Sequence, residues 1–131
     1  MKVKVKFSLE TTDENSLTFE TAGILRIDEE EKVLTFIEQT DMHLPTTIYI
    51  NEKQNTVTIK RTGQIESKMI FDQLKETLSL FKVDNQYEIS MYTHTNYLLI
   101  KESEIQIIYQ TEIDKEQNVS HQLKVKWEEN K

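Results

Sequence analysis

An all-β domain, closed into an antiparallel meander barrel of about ten strands, is the architecture this sequence predicts. Three observations carry the expectation. Apolar and polar residues alternate with a period of two almost from end to end. Turn-like clusters break the alternation about every ten residues, the rhythm of consecutive hairpins. Only 2 glycines and 1 proline punctuate the 131 residues, so Asn and Asp must take most turn positions.

The first run places Val3, Val5, Phe7 and Leu9 against Lys2, Lys4, Lys6 and Ser8. A second begins at Leu17 and Phe19 and continues through Leu25 and Ile27. The third, over 33–40, carries apolar residues on both faces, with Val33, Leu34, Phe36 and Ile37. Ile48 and Ile50, then Val57 and Ile59, mark two short runs. Runs over 65–71, 77–83, 87–93, 97–101 and 105–113 follow, and Val119, His121, Leu123, Val125 and Trp127 close the series. Turns are expected at 13–15, 28–32, 51–55, 62–64, 84–85, 94–96 and 114–118. The segment 72–81, DQLKETLSLF, is the one helical alternative, and it is too short to be stable alone.

So many strands must split into a sandwich or close into a barrel. Sequential hairpins favour closure, because sandwiches use longer Greek-key crossings, for which residues 41–45 are the one candidate. A chain of this length forms one domain, 1–131, with a core that needs no staples.

Composition excludes several function classes. There are no cysteines, hence no disulfide, thiolate metal site or cysteine nucleophile, which suits a reducing cytoplasm. The N-terminal MKVKVKFSLE lacks the apolar stretch of a signal peptide, and no segment is long enough to span a membrane as a helix. A soluble, cytoplasmic monomer or small homo-oligomer without a membrane partner is the expectation. Sixteen basic against twenty-three acidic residues give a net charge of −7, which opposes nucleic-acid binding.

No glycine-rich phosphate loop is present. His43, His94 and His121 lie in separate segments without ligand spacing, so no metal or other cofactor is expected. No carboxylate pair stands out, and no catalytic residue is assigned. Lys2, Lys4 and Lys6 with Lys124 and Lys126 would form a basic stripe where the first and last strands meet, with Glu10 or Glu128 expected to interleave. Such a stripe reads as a solvated outer face, with anion recognition as its sharper alternative.

The informative polar residues ride the apolar phase. Arg61 follows Val57 and Ile59; Ser67 lies between Ile65 and Met69, with Phe71 next. Thr93 continues Tyr87, Ile89 and Met91, and His121 sits between Val119 and Leu123. A buried arginine requires a partner, so Arg61 must meet one inside or emerge at a barrel mouth. Tyr92 and Tyr109 are further hydroxyl donors on strands.

The segment Ile59-Lys60-Arg61-Thr62-Gly63, with Met69-Ile70-Phe71, Tyr92-Thr93 and Ser120-His121-Gln122-Leu123, resembles the YwiB-like family of small uncharacterised bacterial proteins. The similarity runs over essentially the whole chain. It implies a calycin-like, lipocalin-type barrel in the cytoplasm of a low-GC Gram-positive bacterium, and it implies no activity. One departure falls after Tyr92-Thr93, where Asn96 stands in place of the family's usual glycine.

Together these readings point to a non-enzymatic module binding a small amphipathic or anionic ligand, with Arg61, Ser67, Met69, Phe71, Thr93 and His121 as its lining. The alternative is a protein-interaction partner with a self-filled barrel, using an outer patch at Leu34/Phe36 or at Tyr97 and Leu99. An enzyme would require His121 or His43 beside a carboxylate in a cleft.

Overall fold

The structure, a computed structural model, describes residues 1–12, 16–84, 86–112 and 118–130. Ten strands follow one another: β1 (Lys2–Thr11), β2 (Ser16–Ile27), β3 (Lys32–Ile37), β4 (Pro45–Asn51), β5 (Thr56–Arg61), β6 (Ile65–Asp72), β7 (Thr77–Val83), β8 (Tyr87–Lys101), β9 (Glu104–Glu112) and β10 (Asn118–Glu129). Each pairs antiparallel with its sequence neighbours, and β1 pairs with β10, so the sheet closes. The turns expected at 13–15 and 114–117, residue 85 and the end of the run at 113 lie outside the described residues.

Closure follows from the pattern, because an antiparallel hairpin chain with one apolar face buries that face fully only by curling on itself. Val3, Val5, Leu34, Ile48, Ile50, Val57, Phe71, Ile105, Ile107 and Val125 expose no surface at all. Nearest the end carrying the β2–β3, β4–β5, β6–β7 and β8–β9 turns, here the lower end, the interior is therefore filled by its own side chains. Toward the upper end the inward residues loosen: Leu9, Leu17, Phe19, Arg61, Phe81, Met91 and His121 are only half-buried. Phe7 and Phe19, opposite each other across β1 and β2, stack at 4.8 Å, with Phe36 tilted against both.

Four expectations are corrected. Residues 94–96 form no turn: β8 runs through them, with a bulge between Thr95 and Tyr97. The extra residue shifts the strand by one position, so Thr93 and Thr95 point inward above it and Leu98 below. Residues 41–45 make no crossing; they belong to the β3–β4 hairpin, held by Glu38 N–H donating to Leu44 O and His43 N–H to Thr40 O. The third run is shorter than its periodicity suggests, ending at Ile37, and Val33, Thr35 and Ile37 occupy its outer face. Leu34 and Phe36 lie in the core, so they offer no outer patch, whereas Tyr97 is exposed.

The segment 72–81 is not helical. Asp72 closes β6 and its carboxylate accepts the Leu74 N–H, turning the chain into β7. At the closing seam, Lys6 faces Lys126 directly, and Lys4 faces Glu128 as expected. Glu10 faces Gln122 instead of a lysine. Glu20 reaches Lys4 and Lys6, and Glu104 reaches Lys101, Lys124 and Lys126, so carboxylates from β2 and β9 neutralise the stripe. The plain reading of a solvated outer face fits that arrangement.

Candidate functional site

Arg61 ends β5 at the upper rim, opposite Thr46 of β4 and Ser67 of β6. Its guanidinium Nε donates to Glu38 Oε1 at 2.5 Å. Glu38 is the first residue after β3 and continues the inward phase of Leu34 and Phe36. The 38–44 turn then folds back over it, leaving its side chain 6 % exposed and that of Arg61 17 %. Enclosing one charge alone is costly, and the opposite charge held against it offsets that cost. Among the described residues, Glu38 is the one hydrogen-bond partner of the guanidinium.

Ser67 is buried beside Arg61, and among the described residues its hydroxyl has no hydrogen-bond partner; nor has the buried Thr95 hydroxyl on β8. Met69 and Phe71 lie deeper on the same strand, facing Ile59 and Val57, and form part of the floor. Phe71 sets its edge against the Tyr109 ring at 4.7 Å. Burial pushes the Tyr109 hydroxyl up to about 12, with the Arg61 charge pulling weakly the other way.

A belt of hydroxyls crosses from β7 to β10. Thr77 donates to Ile70 O, and Ser79 Oγ and Thr93 Oγ1 share a hydrogen bond of 2.6 Å. Thr93 faces Thr111 across the β8–β9 ladder, and Thr111 Oγ1 meets His121 Nε2 at 3.0 Å. The His121 ring stacks on Tyr109 at 4.7 Å. The arrangement offers hydrogen bonds and one ion pair. Its histidine meets the Thr111 hydroxyl and the Tyr109 ring.

The six expected lining residues thus divide into three groups. Arg61 and Ser67 are neighbours at the rim, Thr93 and His121 are linked through Thr111, and Met69 and Phe71 are packed below both. His43 is exposed in the β3–β4 turn with a φ of 48°. Tyr92 points outward. Glu38, Thr77, Ser79, Thr95 and Thr111 were not singled out in the sequence, although each is buried. Their signal was the same phase rule: Glu38 follows Leu34 and Phe36, and Thr111 follows Ile105, Ile107 and Tyr109.

Among the described residues no group of three or more His, Cys, Asp or Glu is placed to hold a metal ion, and no helix is long and apolar enough to cross a membrane. No curated protein matches the chain. Among solved structures, the crystal structure of ywiB protein from Bacillus subtilis superposes with a TM-score of 0.78 at 20 % identity. The match covers 99 % of this chain and 91 % of that one, which shows a shared barrel fold. The YwiB-like resemblance read at residues 59–63 and 120–123 therefore holds over the full architecture. The family model described as Domain of unknown function (DUF1934) matches residues 1–125, and the chain belongs to that family.

Proposed function

We propose that this protein is a cytoplasmic binding module that takes a small amphipathic anion at the upper end of its barrel. The observation that carries the reading is Arg61 at the rim. Glu38 engages only its Nε, and the neighbouring Ser67 hydroxyl is buried without a partner. A carboxylate or phosphate oxygen would complete both, through charge-assisted hydrogen bonds from the terminal guanidinium groups. Glu38 gives the site a reason to tolerate its cation, since an unpaired one would be costly to enclose. Half-buried Phe19, Phe81 and Met91 supply an apolar rim for the rest of the ligand. The lower interior is filled by its own side chains, so a ligand would have to sit at this end.

Native mass spectrometry of protein purified from its own host tests the reading. The expected result is a bound small anion in the wild-type protein and its loss from a Glu38→Leu/Arg61→Met double variant, which removes the site without stranding a charge. A ligand-free wild-type spectrum, or a ligand retained by the double variant, would overturn it.

A further inference from the structure

The barrel closes, yet several strands run past their neighbours, β8 and β2 the furthest among the described residues. β7 pairs β8 only from Tyr87 to Thr93, so the rest of β8 has a free edge on that side. It is guarded: the Leu98 N–H donates to Gln73 Oε1 at 3.3 Å, and the β6–β7 turn lies against it. The other long overrun is in β2. β3 pairs β2 only from Gly23 to Ile27, so among the described residues Ser16 to Ala22 pair with β1 alone. Gln39 reaches the Thr21 hydroxyl at the lower limit of this stretch. Among the described residues no backbone group outside β1 bonds the rest.

The direction of the free groups follows from parity. Met1 and Leu25 exchange both backbone hydrogen bonds, so alternate β2 residues counted from Leu25 face β1. The N–H and C=O of Ser16, Thr18, Glu20 and Ala22 therefore face the open edge. Edge strands of this kind invite pairing unless proline, a bulge or a free charge blocks them; the stretch SLTFETA has no proline or lysine, and its one charge, Glu20, is paired with Lys4 and Lys6 of its own chain.

We propose that β2 pairs with the β2 of a second copy of this chain, antiparallel and two-fold symmetric about Phe19. The stretch is self-complementary in that register. Thr18 meets Glu20 of the other copy and Ser16 meets Ala22, and these are the residues whose backbone groups face the edge. Phe19 meets Phe19, and Leu17 meets Thr21, on the inner face beside the Phe7–Phe36 cluster. Moving the centre to Glu20 would set two carboxylates opposite each other, a destabilising arrangement. In the centred register Glu20 keeps its own Lys4 and Lys6 and meets a threonine. An isologous contact of this kind closes at two copies.

Sedimentation equilibrium over a concentration series reaching the millimolar range tests the proposal. The expected result is a doubling of mass for wild type and a monomer throughout for Thr18→Pro. That proline removes an N–H that faces only the open edge, so far-UV circular dichroism should be unchanged. A Phe19→Cys variant provides a second measurement if the proline variant does not fold. The chain has no other cysteine, and closely spaced non-hydrogen-bonded strand pairs suit a disulfide. Oxidation should therefore give a covalent dimer. A wild-type chain that stays monomeric, a folded Thr18→Pro chain that dimerises like wild type, or a Phe19→Cys chain that forms no linked dimer would each overturn the proposal.

Discussion

Glu38 and Arg61 show how one buried pair decides what a substitution does. Replacing Arg61 alone leaves a carboxylate of 6 % exposure without its cation. Arg61→Met is therefore expected to lower stability by about 3 kcal/mol, typical of a broken enclosed pair. Adding Glu38→Leu should recover most of that loss, since apolar isosteres often replace such pairs at little cost. Urea midpoints of the two single variants and the double variant give the coupling directly, and additive losses would contradict it. Tyr109 makes a separate statement about pH. Its hydroxyl is held neutral to about 12 in the folded chain, against an ordinary value near 10. Below pH ~10 folded and unfolded chains are both protonated there, so the stabilisation is fully present. As pH rises toward 12 the unfolded chain ionises first, and roughly 2–3 kcal/mol is lost across that window. Tyr109→Phe should flatten this part of the stability profile, measured by urea unfolding at each pH. Arg61 was legible as an inward cation because it continues the phase of Val57 and Ile59. Its partner was less so, because Glu38 falls where the alternation of β3 gives way to a turn, and charged residues there normally face solvent.

At the scale of elements, the strands were legible wherever one face met water and the other the core, because the period of two then writes itself into residue type. The reading failed where geometry changed without a compositional cue. Asn96 looked like a turn residue, yet it accommodates the bulge that keeps β8 continuous; asparagine serves both, so composition alone cannot separate them. The partners of the basic stripe were hidden for another reason. Glu20 and Glu104 reach it from β2 and β9, and their registers against β1 and β10 are three-dimensional facts. Gly23 belongs to the same class. A β-carbon there would come within 2.8 Å of Thr35 O and 2.9 Å of Val5 Cγ2, so β2 can pass between β1 and β3 only without a side chain. Gly23→Ala is expected to cost about 1–3 kcal/mol, the range for overpacking a tight site. Thermal unfolding of that variant checks it, and an unchanged midpoint would mean that β2 and β3 can separate freely. Ala22→Gly, on the exposed neighbour, should cost less and serves as the comparison.

For the molecule as a whole, the decisive contact is the one of greatest sequence separation. The pairings between sequence neighbours need only local hairpins, whereas β1 with β10 joins residues near opposite ends of the chain. Sequential hairpins made a barrel legible in the sequence, because no other closed arrangement uses turns alone. The solid lower end and looser upper end were not legible, since strand lengths and tilt determine which inward residues meet. Closure also brings the ends of the described chain together: Val3 faces Glu129, and Asn130 N–H donates to Lys2 O at 3.0 Å. Proximity of this kind is what tolerates circular permutation. New ends belong in the exposed β4–β5 turn, between Lys53 and Gln54, where Asn55 carries a φ of 55° and no core side chain is involved. Joining residues 131 and 1 by a short flexible linker turns the slow, non-local β1–β10 pairing into a local hairpin, and breaks the β4–β5 hairpin in exchange. The permutant should keep the far-UV spectrum of the parent and melt within about 10 °C of it, given the size of the chain. Because β1–β10 forms 9 residue pairs and β4–β5 only 6, the ladder made local is the longer one, and refolding should be faster than in the parent. A permutant that folds more slowly would mean that β4–β5, and not the terminal seam, organises the barrel.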